Sequence, residues 1–433
     1  MRRTTRAAAV LIGVAGLALA GCAGGGDDDA PDGQAGGGGG GGGDQVTLTV
    51  ATFNEFGYEE LFEQYMTENP NITIEHTKAD TADNARDALR NSLGANAGAA
   101  DIEAVEVDWL VEFMQYPDKF ADLSSPEVEG RWLDWKVDAA TTDDGKLIGY
   151  GTDIGPEAIC YRADLVEAAG FPSDREGFAE WIGDSWDSYF AAGREFVAAS
   201  DAAWYDSAGA LWQGMTNQIE VPYETPEGEI VAATNPEVRA AYDAVLKASV
   251  EDGLSAHLGQ WSTDWAQSFQ GDEFATMLCP GWMLGIIEGN AAGVEGWDIA
   301  NVFPGGGGNW GGSYLTVPAQ GDHVEEAIAL AQWLTAPEQQ IQAFLAKGTF
   351  PSQPAAYEDP ALVDSTNAFF NDAPTGQIFI DRANAVEFQP YKGPNYFVIN
   401  TAIQDAITRV DVDGSADAES SWAQFVSDVE AIG

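Results

Sequence analysis

The stretch QVTLTVATFNEFG (45–57) and its continuation YEELFEQYMTENP (58–70) decide the fold. Val46, Leu48 and Val50 alternate with Thr47 and Thr49, the period-2 pattern of a half-buried strand, which ends near Phe53. From Gly57 to Asn69 the period changes: Leu61, Phe62, Tyr65 and Met66 share one helical face, and Asn69-Pro70 stops the helix. The alternation then recurs. Ile72 and Ile74 mark a second strand. Ala85, Leu89 and Leu93 mark a second helix, closed by Gly94, and Ile102, Ala104, Val105 and Val107 make a nearly all-apolar third strand. A β-α-β-α-β order requires right-handed crossovers and a parallel sheet covered by helices.

Ligands of such sheets sit beyond the carboxyl ends of the strands. Those ends carry Phe53-Asn54-Glu55-Phe56 and Glu106-Val107-Asp108-Trp109, in each case an acid or amide beside aromatics. Further along, residues 147–161 pass through Gly149, Gly151, Gly155 and Pro156, an interrupted extended segment suited to crossing between two lobes. Helical patterns follow to about residue 270. Phe274 to Cys279 and Ser313 to Val317 read as strands, Asp298 to Phe303 as an extended piece, and the last hundred residues as largely helical.

At 433 residues and 45% hydrophobic content, the chain exceeds one ordinary domain. Seventy acids against 19 Lys+Arg give a formal charge of −51, which excludes nucleic acid and an anionic membrane surface as partners by repulsion. An aromatic content of 11% excludes an acidic disordered chain. Three Cys and three His leave little for a Cys/His metal site, and no metal or cofactor is expected.

Arg2, Arg3 and Arg6 precede an apolar run from Ala7 to Ala20, the build of a secretory signal over residues 1–21. The run is too short for a span of ~20 residues. Leu19-Ala20-Gly21-Cys22 resembles a bacterial lipobox, so Cys22 is expected to carry the acyl chains that anchor the protein; an ordinary signal with an incidental Cys is the alternative. Residues 22–44, with eight consecutive Gly from Gly36 to Gly43, read as a flexible tether. Cys160 and Cys279 then have a single intramolecular partner choice in an oxidising compartment, and a disulfide is expected; two buried free thiols are the alternative.

Gly306, Gly308 and Gly311 match GxGxxG formally, but a strand rather than a helix follows, so no pyrophosphate site is read there. Asp411 and Asp413 start a calcium-loop pattern that Ala416 and Trp422 break. The stronger signal is the set of 14 tryptophans. Most belong in the core, but Trp109, Trp282 and Trp310 sit where the chain turns. A pyranose presents an apolar C–H face and a rim of hydroxyls, which suit a flat aromatic with carboxylates at its edge. Glu106, Asp108 and Asp153 meet that need, and a glycoside hydrolase with two carboxylates in an aromatic cleft is the enzymatic alternative.

The lipobox, the tether, Thr52 to Gly57 and Asp101 to Trp109 resemble family 1 extracellular solute-binding proteins of sugar ABC importers. So do Gly155 to Arg162, Cys279-Pro280-Gly281-Trp282-Met283, Trp333 to Gln340 and Thr349-Phe350-Pro351-Ser352. Within that family the chain is most similar to cellobiose and cello-oligosaccharide-binding lipoproteins. The resemblance implies a two-lobed, maltose-binding-like α/β fold, each lobe a mainly parallel sheet flanked by helices, joined by crossover strands. It implies lobe 1 from residues 45–154 plus 300–350 and lobe 2 from 155–299 plus 351–433. It also implies a monomer that closes on a neutral oligosaccharide, without chemistry, and hands it to the transmembrane permease at the outer face of the cytoplasmic membrane. Carried over by position, the binding residues are Asn54, Glu55, Asp108, Trp109, Asp153, Trp212, Trp282, Trp310 and Tyr396. Trp261 and Trp265 match least well and read equally as core. A cell-surface carbohydrate-binding module is the non-transport alternative.

Overall fold

A computed structural model describes residues 45–432. The expected signal, tether and Cys22 lie outside the described residues. Among the described residues eleven strands form three sheets: β1 (Val46–Phe53), β2 (Ile72–Ala79), β3 (Ile102–Glu106), β4 (Tyr150–Gly151), β5 (Asp153–Ile154), β6 (Glu157–Arg162), β7 (Ala203–Tyr205), β8 (Phe274–Pro280), β9 (Trp297–Ala300), β10 (Ser313–Thr316) and β11 (Phe350–Pro351).

The first sheet has the order β2-β1-β3-β10-β4, with β1 parallel to both β2 and β3. The β-α-β-α-β reading therefore holds. Val46, Leu48 and Val50 point into the core, and α1 (Glu59–Glu68) buries Leu61, Phe62 and Tyr65. The helix α2 (Ala82–Ala95) starts where Thr81 accepts the Asn84 amide and runs through Gly94 to a left-handed Asn96, two residues past the expected stop. The third strand ends one residue early: Glu106 caps α3 (Val107–Phe113) by accepting the Asp108 amide at 2.8 Å, so Asp108 and Trp109 lie in a helical first turn.

The second lobe's sheet has the order β7-β8-β6-β9. Only β7 and β8 are parallel; β6 is antiparallel to both β8 and β9, so the expectation of a mainly parallel sheet in each lobe is corrected here. The cause is the route of the chain. β6 leaves the crossover at Glu157, opposite Pro280, whereas β8 and β9 run back towards the crossover. Helices cover both faces: Ile159 and Tyr161 of β6 join one apolar cluster, and Ala158 and Cys160 join another. Cys160 and Cys279 form a disulfide joining β6 to β8.

The lobes meet at a narrow waist. β5 pairs with β11, the Gly155 amide donates to Asn309 Oδ1 at 2.8 Å, and the Trp310 amide donates to the Gly155 carbonyl at 2.8 Å. A Cβ on Gly155 would lie 1.7 Å from the Trp310 carbonyl oxygen, so only glycine permits the crossing. No helix among the described residues is long and apolar enough to cross a membrane.

Candidate functional site

Above the waist, a cavity of about 510 Å³ opens between the lobes, within the range of small-molecule sites. From the first lobe, the end of β1 contributes Asn54 and Glu55, and the first turn of α3 contributes Asp108 and Trp109. Asp153 comes from the crossover, Trp282 from the turn after β8, and Trp310 from the returning loop. Seven of the nine expected residues thus line one cavity.

Trp282 and Trp310 make its corner. Their rings stand 5.6 Å apart at 86°, and the Trp282 indole N–H donates to the Trp310 carbonyl at 2.8 Å. That bond uses the only polar atom of the Trp282 ring and fixes the plane of its apolar faces. Trp109 lies deeper, 1% exposed, its ring against Phe53 and Phe113, with an indole nitrogen that has no partner.

Their surroundings shift the acidic groups in different directions. At the rim, burial acts to raise the pKa of Glu55, but Lys78 at 2.8 Å and Lys347 at 3.5 Å outweigh it and hold the carboxyl below its ordinary value. Burial, reinforced by the Asp108 charge, pushes the Glu106 carboxyl well up. Burial also raises Asp153 against the pull of Lys136; its Oδ1 accepts from the Thr152 hydroxyl and the Ser313 amide at 2.7 and 2.9 Å. Lys136 itself is 1% exposed, has no hydrogen-bond partner, and lies 3.9 Å from the centre of the Tyr314 ring. Burial pulls its pKa down to about 7. Asp108 is paired with Lys392, which arrives from the segment ahead of the helix Tyr396–Asp411.

Two expected residues are not in the lining. Trp212 is fully buried in the second lobe's core and donates to the Tyr223 hydroxyl at 3.3 Å. Tyr396 is fully buried against Tyr223 at 5.0 Å. In both cases the next residue, Gln213 or Phe397, faces the cavity. One helical step turns a side chain by about 100°, enough to move it from cleft to core. The sequence carried a signal for the correct face. Asn400, Thr401, Gln404 and Thr408 recur at helical spacing and form, with Phe397 at its head, a mostly polar stripe on the helix Tyr396–Asp411. Trp265 is core, as one of its two readings had it, whereas Trp261 lines the cavity.

A sequence profile of bacterial extracellular solute-binding proteins matches residues 60–371. The chain belongs to this family. Its members are solute-binding proteins rather than enzymes, which removes the glycoside hydrolase alternative. A solved structure described as an extracellular solute-binding protein of family 1 is 48% identical, with a TM-score of 0.79 over 89% of this chain and 99% of the other. The maltose-bound MalE3 of T. maritima shares the two-lobed fold at 16% identity, with a TM-score of 0.70 over 89% of this chain and 100% of the other. The lactose-binding protein of Rhizobium radiobacter is 24% identical over 258 residues, which are 58% of each chain; this solute-binding protein thus spans little more than half of that relative.

Proposed function

We propose that this solute-binding protein is the receptor of a carbohydrate ABC importer. It captures a neutral oligosaccharide, cellobiose or a cello-oligosaccharide above all, between two closing lobes and delivers it to the permease. In this reading Cys22 carries the lipid anchor, and the protein works as a monomer at the outer face of the cytoplasmic membrane. The lobes divide at residues 45–154 plus 300–350 and 155–299 plus 351–433 and hinge at the waist.

The observation that carries the reading is the Trp282–Trp310 corner set among carboxylates. Indole faces take the C–H face of a sugar ring, while Asp108, Asp153 and Glu106 pair with its hydroxyls. Burial raises Glu106, and in its neutral form the carboxyl both donates and accepts, as a hydroxyl does. Among the described residues, seven acidic side chains, Glu106 included, and no Lys, Arg or His line the cavity, so the lining disfavours an anionic sugar. The names of the lactose-binding relative and the maltose-bound neighbour support a saccharide as the solute. A cavity set between two lobes, rather than an open surface that could lie along a polymer, favours transport over a surface-binding module.

Calorimetry with cellobiose, lactose, maltose, xylobiose and a glucuronate disaccharide tests this reading. Heat is expected with the neutral sugars, greatest with cellobiose, and none with the uronate. Silence with every sugar overturns sugar binding; a stronger response to another linkage overturns the cello-oligosaccharide assignment alone.

A further inference from the structure

Glu157 opens β6 at the waist, where nothing receives a charge. It is 0% exposed, and neither carboxyl oxygen has a hydrogen-bond partner among the described residues. The carboxyl lies between two glycines. A Cβ would stand 2.5 Å from Oε2 on Gly308 and 3.4 Å from Oε1 on Gly214, and the Phe303 ring closes in on both positions. A buried polar group without a partner costs stability, and an unpaired buried charge far more, so the group keeps its proton.

The surroundings act in the same direction. Burial pushes the carboxyl well up, and Asn217, whose amide nitrogen is itself unpartnered, offsets only part of this. The helix Ala208–Thr216 ends beside it, and the partial negative charge of a helix C-terminus disfavours a carboxylate. Of the elements packed against it, β8 brings Pro280 and Leu278, the helix end Gly214 and Asn217, and the returning loop Phe303 and Gly308, none of them charged. Arg382 and Asp184 are bonded to the loop further back. Arg382 donates to the Gly306 carbonyl at 3.1 Å, the Asp184 carbonyl accepts the Gly305 amide at 2.8 Å, and neither acts on the Glu157 charge.

That loop carries Trp310 into the cavity. Six of the nine residues from Pro304 to Gly312 are glycine, so the loop has little stiffness of its own and takes its place from its contacts. Three of these tie it to the start of β6: the Glu157 amide donates to the Gly308 carbonyl at 3.0 Å, the Trp310 amide to the Gly155 carbonyl, and the Gly155 amide to Asn309 Oδ1. The Trp310 carbonyl in turn holds the Trp282 indole. A carboxylate at Glu157 is relieved most cheaply by displacing its compliant side, the loop, and the Trp282–Trp310 corner moves with it.

We propose that Glu157 is a proton-operated positioning residue: its neutral carboxyl seats the glycine loop against β6 and so sets the Trp282–Trp310 corner for the ligand, and release of the proton to solvent unseats both. This rests on the reading of the cavity as a sugar site.

The sign follows from linkage. The unfolded chain gives up this proton near the ordinary Glu value of about 4.3, well before the folded chain does, so the folded-to-unfolded ratio falls by up to about tenfold per pH unit above it. The test takes the full chain, Glu157→Gln and Glu157→Met through differential scanning calorimetry from pH 5 to pH 9. It also titrates each with cellobiose, lactose and maltose over the same range. The thermal midpoint of the unaltered chain is expected to fall more steeply with pH than that of either variant. Its sugar affinity is expected to fall about fivefold more than theirs. Every other titrating group is common to the three proteins, so the differences belong to Glu157. Equal midpoint slopes, or parallel affinity profiles, overturn the positioning role alone. So does failure of both variants to fold, because a site that needs no charge accommodates Gln or Met. Silence of the unaltered chain with all three sugars overturns the sugar reading and the positioning role with it.

Discussion

Trp282 owes its orientation to one hydrogen bond. With its N–H held by the Trp310 carbonyl, the ring cannot turn edge-on to the cavity, and what it offers a ligand is an apolar face. Trp282→Ala is expected to weaken sugar binding by about 1–3 kcal/mol, the loss of one aromatic face with its buried area. Isothermal titration checks this, and unchanged affinity would make the residue part of the core. At this scale the sequence was most legible where a cavity-lining residue follows a strand, as at Asn54, Glu55 and Trp282, because a strand end fixes where the chain emerges. It was least legible inside helices. Trp212 and Tyr396 are each one step from a cavity-facing neighbour, and helical phase depends on packing against both lobes, which composition does not report.

Between elements, the pairing of His257 with Asp411 fastens the loop bearing Trp261 to the end of the helix Tyr396–Asp411. The Asp411 hydrogen bond raises the imidazole pKa, and burial only partly offsets it. An imidazole whose folded pKa exceeds the unfolded one stabilises fully below the unfolded value of about 6.5, and that contribution fades as pH rises through the raised folded value. The thermal midpoint should therefore fall more steeply between pH 6 and pH 8 for the natural chain than for His257→Gln. Differential scanning calorimetry of the two proteins isolates the pair, since Asp206 and Lys136, whose pKa values lie at about 6 and about 7, titrate in both. Identical slopes would show that the pair does not hold the loop. Nothing local in the sequence announced this link, because residues 257 and 411 meet only when two distant segments pack.

Over the whole molecule, local periodicity revealed β1 to β3 with their helices, and Ser313 to Val317 as a strand, but not the place of that strand, β10, which enters antiparallel between β3 and β4 after a gap of some two hundred residues. The same non-locality hid the seam that joins the lobes beside the cavity. There Lys392 pairs with Asp108, both side chains at least 85% buried, and the Arg86 guanidinium sits 4.0 Å from the centre of the Phe397 ring. In the proposed division of the lobes Arg86 and Asp108 fall in one and Lys392 and Phe397 in the other, so the proposed opening of the cavity would separate both pairs. A charge pair this buried is costly to break when one partner is removed, and the double substitution Lys392→Ala/Asp108→Ala avoids leaving a lone charge behind. That variant should populate the open form more, with a larger radius of gyration by X-ray scattering before sugar is added and the same radius after. Because apparent affinity scales with the fraction of binding-competent protein, its sugar affinity should drop about tenfold, or about 1.4 kcal/mol. The two readouts separate two roles for Asp108. Weaker binding with unchanged scattering would mean that the carboxylate acts on the ligand alone, and that the seam does not set the balance between open and closed lobes.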